Sequence, residues 1–119
     1  MKPATAKSKG RETEQRLVRY LREHGVPYAE RRRLTGSADQ GDITGWPGVC
    51  VEVKSGARLA IGTWLAELAV EKANAKAKVG FVVVRPKGLP DPVGWYVLLP
   101  LPDMMALMEE AGWTERPGS

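Results

Sequence analysis

Apolar positions fall into two kinds of pattern along this chain. At Leu17, Val18 and Leu21 they recur at three- and four-residue intervals. Residues 12–24, ETEQRLVRYLREH, are therefore expected to form an amphipathic helix, stopped by Gly25 and Pro27. The same spacing returns at Trp64, Leu65, Leu68 and Ala69 within residues 63–78. It returns again in PDMMALMEEAG, residues 102–112, with Asp103 as N-cap, Gly112 as the stop and three methionines as core or interface filler. The other pattern is strand-like. VGFVVVR, residues 79–85, is an unbroken apolar run of strand length, expected to be buried on both faces. VPYAERRR, residues 26–33, reads as an edge strand because of Pro27. Asp42-Ile43-Thr44 and VCVEVKS are expected to pair as a hairpin through the turn GWPG, and WYVLLP supplies the last strand. The order helix, three strands, helix, two strands, helix predicts a single-domain α/β protein, with a small mixed sheet flanked by helices.

One strand breaks its own pattern. Val49, Val51 and Val53 point to one face, so Glu52 and Lys54 point together to the other, about 6.6–7 Å apart. Charges are almost never buried without partners. Asp42, across the GWPG turn, can lie beside Glu52, and two adjacent carboxylates repel unless a proton or a cation separates them. Hard oxygen ligands at this density suit Mg²⁺, with Mn²⁺ as a substitute. Lys54 would then orient a water or offset developing negative charge. Glu14 stands at the end of the stripe formed by Leu17, Val18 and Leu21, and would add a further acid. An E-x-K triplet alone reads as a surface ion pair, and a first-turn Glu as a dipole partner. Their combination with an upstream Asp reads as a metal site.

Charge extends this picture. The net charge is +4 and the sequence pI about 9.4. Lys7, Lys9 and Arg11 cluster in a polar start, residues 1–11, expected to be a flexible basic arm, and Arg31, Arg32 and Arg33 form a run. Such clusters are the footprint of a protein that binds a polyanion such as nucleic acid, although a charge run taken alone also reads as a solvated face. The single cysteine, Cys50, lies within the valine strand and reads as a small core residue. The single histidine, His24, reads as a helix-end residue, so a structural zinc site is not expected. No window holds an apolar run long enough to span a membrane, and the start has no apolar signal region, so a cytoplasmic protein is expected.

Taken in order, Lys9-Gly10 before Glu14, Gly36-Ser37 before Asp42, Glu52-Val53-Lys54, and Val93-Gly94-Trp95 opening a late strand resemble the PD-(D/E)xK nuclease superfamily. Within it they are most similar to the archaeal-type Holliday junction resolvases and their phage relatives. The resemblance runs from residue 9 to about residue 100. It implies a restriction-endonuclease-like fold, with residues 12–119 as the nuclease domain. It also implies a homodimer that cuts four-way DNA junctions with Mg²⁺. Carried over, Asp42, Glu52 and the Val53 carbonyl would bind metal, and Glu14 would complete the shell. Lys54 would serve the attacking water, and Ser37 would touch the phosphate of the cleaved strand. Gly41 stands where the family often has proline, and Asp39 competes with Asp42, which is the better placed because it leads into Ile43. Two neighbouring readings share these residues: a repair or restriction-like nuclease acting on flaps, nicks or duplex, and a non-catalytic DNA-binding module of the same fold. A basic RNA-associated protein would explain the charge but not the acids on the valine strand.

Overall fold

The structure, a computed structural model, describes residues 6–33, 38–56 and 58–115, and the side chains of the first helix from Gly10 onward. The elements follow the expected order: α1 (Ala6–Glu23), β1 (Glu30–Arg31), β2 (Ile43–Thr44), β3 (Val49–Ser55), α2 (Ile61–Ala75), β4 (Val79–Arg85), β5 (Tyr96–Leu98) and α3 (Leu101–Glu110). It is a small α/β fold with a mixed three-stranded sheet, β3-β4-β5, and three helices. β3 and β4 run parallel, and β5 is antiparallel to β4.

The sheet has a helix on each face, and the alternation of β3 decides which residues meet which helix. Val51 and its neighbours Val49 and Val53 pack with Val83 against Leu17, Val18 and Leu21 of α1 and against Ile43. Cys50 packs on the opposite side with Val82 and Val84 against Leu68 of α2. β4 is buried on both faces, as its apolar run implies. Leu68, only 1% exposed, adds roughly 2–3 kcal/mol of burial to the α2 side. Cys50 is a core residue, and burial pushes its thiol up to about 12.

Several boundaries differ from expectation, α2 among them, which ends at Ala75 rather than Lys78. α1 begins at Ala6 rather than at Glu12, so the polar start expected to be a flexible arm through Arg11 is helical from Ala6. Ala, Lys and Arg are good helix formers, and the helix carries Gly10 at a cost of about 1 kcal/mol. The segment 26–33 contributes only Glu30–Arg31, and the last strand only Tyr96–Leu98. The expected β2–β3 hairpin does not form as a ladder. β2 pairs instead with β1, Arg31 opposite Ile43, and touches β3 through Asp42, whose N–H donates to the Val51 carbonyl at 2.8 Å. The physical reason is the shortness of β2, because β4 takes one edge of β3 and, among the described residues, Asp42 alone reaches the other. The longer apolar run of β4 pairs with all of β3, from Val49–Val79 to Ser55–Arg85, whereas β2 is two residues long.

His24 ends α1 as expected: its Nδ1 donates to the Tyr20 carbonyl at 2.7 Å and its ring stacks on Tyr20. Asp103 does not cap α3. Pro100 precedes the helix, and the Asp103 carboxylate accepts from the Gly80 N–H at 2.9 Å and from Lys72 Nζ at 2.8 Å. Burial alone would raise its pKa, but Lys72 and the Gly80 amide outweigh that and hold it below the usual aspartate value. Its stabilising effect is present above about pH 4 and is lost as pH falls through the lowered value. Asp103→Ala should therefore cost about 2 kcal/mol at pH 7, measured by urea unfolding, and clearly less near pH 3. An equal loss at both pH values would show that the charge is not what holds α3.

Candidate functional site

The site is built on the α2-facing side of β3. Glu52 is only 7% exposed there. Val51 and Val53 hold its strand by burial on the other face, so pleating forces the Glu52 side chain toward α2. Burial first, then the neighbouring carboxyls of Glu71 and Asp42, pushes Glu52 up to about 11. Glu71 of α2, 4% exposed, is also raised, chiefly by burial. Neither Glu52 Oε2 nor Glu71 Oε2 has a hydrogen-bond partner among the described residues.

Asp42 reaches β3 as the sequence implies. Its Oδ2 accepts from the Val53 N–H at 2.7 Å, so the amide of Val53 anchors the acid to the strand. Lys54 stands beside Glu52, with Nζ 3.9 Å from Glu52 Oε1 and 3.0 Å from Glu67 Oε2. Burial works against its ammonium, but Glu67, Glu52 and Asp42 outweigh that and raise its pKa, so Lys54 is a held cation. Asp39 also joins the group. Carboxylate oxygens of Asp39, Glu52 and Glu71 all lie within 4.8 Å of one another.

No protein-family model, curated protein or solved structure matches this chain.

Glu14 sits on the other flank. It is half-buried, its carboxylate is 3.5 Å from Arg31 Nε, and its pKa is raised by burial and then by Asp42. Glu14 and Asp42 line one open cleft of about 1160 Å³ between α1 and β1. Arg11, Arg31, Arg32 and Arg33 line the same cleft. Arg31 Nε and Arg32 Nε are buried without a hydrogen-bond partner among the described residues. Ser37 lies outside the described residues, as do the side chains of Lys7 and Lys9.

The expected residues Asp42, Glu52, Val53 and Lys54 are thus brought together, and Glu14 is placed beside Asp42 in the cleft. Sequence reading passed over Glu71 and Glu67 on α2, and ranked Asp39 second. Glu67 and Glu71 are four apart and so share a helix face, a signal visible in the sequence. Nothing in the sequence says that this face meets Glu52 and Lys54. The donor set fits a hard divalent cation: several carboxylate oxygens converge, two of them buried and unpartnered. No helix among the described residues is long and apolar enough to cross a membrane.

Proposed function

We propose that this chain is a divalent-cation-dependent, structure-selective DNA endonuclease of restriction-endonuclease-like fold, hydrolysing phosphodiesters in four-way junctions. The observation that carries this reading is Glu52. Its buried carboxylate, with an unpartnered oxygen, stands among acids and beside a lysine on an otherwise apolar strand. A structural ion pair would leave both partners satisfied, whereas here the acids outnumber the cation that faces them.

Asp42 and Glu52 would hold Mg²⁺, or Mn²⁺ in its place, with the Val53 carbonyl as a further donor. When bound, the ion supplies a lowered pKa for a coordinated water and offsets charge on a phosphoryl oxygen. Lys54 is held by Glu67 and Glu52 in the protonated state, suited to orient the attacking water or to meet negative charge developing at phosphorus. Arg31, Arg32 and Arg33, with Arg11, face the cleft that contains Asp42, and would take up backbone phosphates next to the acids. Such contacts are sequence-independent, as recognition by shape requires. A homodimer is part of this reading, and Val97 of β5, Met105 and Met108 of α3, and Trp113 beyond α3 are exposed apolar side chains that a second copy could cover.

The test is cleavage of a labelled synthetic four-way junction in Mg²⁺ or Mn²⁺, beside matched duplex and flap substrates. Paired symmetric nicks are expected, with Asp42→Asn and Glu52→Gln each reducing the rate by about 10³-fold or more. Cutting of flap or duplex in preference to the junction would replace junction resolution with a repair-type activity. Tight junction binding without cleavage in either metal would replace catalysis with binding alone.

A further inference from the structure

β3 and α2 face each other as two short ladders. Lys54 of β3 meets Glu67 of α2 at 3.0 Å, and Glu52 of β3 meets Glu71, one helical turn further along α2. The first rung is a satisfied ion pair. The second places two carboxylates together, each more than nine-tenths buried, each with one oxygen that has no partner among the described residues. Asp39 approaches the same point from the end of the preceding loop. Its position is tied to α2 as well, because Asn74 Nδ2 donates to the Asp39 carbonyl at 2.8 Å.

A helix that served only to cover the sheet would bury an apolar side chain at position 71, as it does at Leu68. One shared proton can join Glu52 to Glu71, while Asp39, whose Oδ1 accepts from the Gly41 N–H at 2.9 Å, stays outside that bond. One cation takes all three. Oxygens bound to Mg²⁺ or Mn²⁺ at about 2.1 Å lie roughly 3 Å apart when adjacent and about 4.2 Å when opposite. The 4.8 Å spread of the Asp39, Glu52 and Glu71 oxygens needs only a small side-chain adjustment to match.

We infer that Glu71 of α2 is a cation ligand, completing with Asp39 and Glu52 a carboxylate site for one divalent ion of the size of Mg²⁺ or Mn²⁺. This rests on the reading above that the α2-facing side of β3 takes a divalent cation, and not on what that site cleaves. The ion would fasten α2 to β3 and to the Asp39 loop, so the helix becomes one wall of the site rather than its cover.

The experiment is titration of the full chain with MnCl₂ at pH 7.5, followed by calorimetry and by the loss of free Mn²⁺ signal in electron paramagnetic resonance. Glu71→Gln and Asp39→Asn should each weaken Mn²⁺ binding by at least tenfold. Glu110→Gln, on α3, should leave it within twofold of the unchanged protein. Circular dichroism melts without metal establish that each variant is folded. Asp39 is exposed, so Asp39→Asn gives the readout even if Glu71→Gln does not fold. Unchanged Mn²⁺ affinity in a folded Glu71→Gln overturns the assignment, as does the absence of Mn²⁺ binding to the unchanged protein at millimolar concentration. The two readings fail separately. If no DNA is cut but Glu71→Gln loses Mn²⁺, the site stands and the nuclease falls. If junctions are cut and Glu71→Gln keeps its Mn²⁺ affinity, the nuclease stands and the site falls.

Discussion

Glu52→Gln is expected to make the cation-free protein more stable. Glu52 is buried beside Glu71 and Asp42, and its pKa in the folded chain is raised to about 11. In the unfolded chain it returns to about 4.3. A raised carboxyl lends its stability fully below the unfolded value, and that contribution is lost as pH climbs toward the folded one. Above about pH 5 the folded state must therefore either keep a proton on this carboxyl or bury its charge, and both cost free energy. Glutamine keeps the shape and removes that cost. The gain should be on the order of 2–4 kcal/mol at pH 8, or roughly 10 °C in Tm for a domain of this size. Without cation, the Tm of the unchanged protein should fall from pH 5 to pH 9, and that of Glu52→Gln should fall less, since Glu71 and Glu14 keep their raised values. Added Mn²⁺ should raise the Tm of the first and not of the second. A variant that melts at or below the unchanged protein at pH 8, without cation, would mean that the Glu52 carboxylate is satisfied by groups already around it.

Gly45→Ala is expected to cost on the order of 3–4 kcal/mol and to remove activity with it. Gly45 has φ +83°, a conformation that costs a side chain about 1–2 kcal/mol. An added Cβ would also overlap the backbone carbonyl of Tyr28, just before β1, a collision relieved only by shifting the chain that enters β1 or the turn itself. Moving β1 moves Arg31 and the strand that leads out of Asp42. The control lies in the same turn. Gly48 has φ +79° but open space around its Cβ, so Gly48→Ala should lose only about 1–2 kcal/mol. Urea unfolding of the two variants separates a steric contact from simple backbone preference. Equal losses would remove the Tyr28 contact from the explanation.

Much of this arrangement is legible from the side-chain pattern. VCVEVKS shows its two faces directly, because pleating sends alternate residues to opposite sides, and Glu52 and Lys54 therefore share a side whatever the partners of the strand. VGFVVVR shows a strand with no solvent face. What pairs with what is less legible. Neighbouring strands joined by GWPG resemble a hairpin, and the sequence does not state that β4, beyond a whole helix, pairs more extensively with β3. The same gap hides Glu71. In EKANAKAK an acid followed by Lys72, Lys76 and Lys78 looks like a solvated helix face, and only the parallel β3–β4 pairing brings that face onto Glu52. Position in the loop favours Asp42 over Asp39, yet the fold uses both: Asp39 among the oxygens near Glu71, Asp42 on the Val53 amide.

The alternation of β3 also protects the chain from a folding error. If β3 slid by one residue along β4, Glu52 and Lys54 would turn into the layer beneath α1, among Leu17, Val18 and Ile43. Placing a carboxylate and an ammonium in that layer costs several kcal/mol. Val82, Val83 and Val84 of β4 impose no such restriction, since either face of that strand accepts an apolar environment. The two charged side chains therefore act as alignment pins for an otherwise slippery pair of valine strands. Replacing both with valine would bury more apolar surface and give up the single alignment, leaving a chain free to settle into several strand pairings.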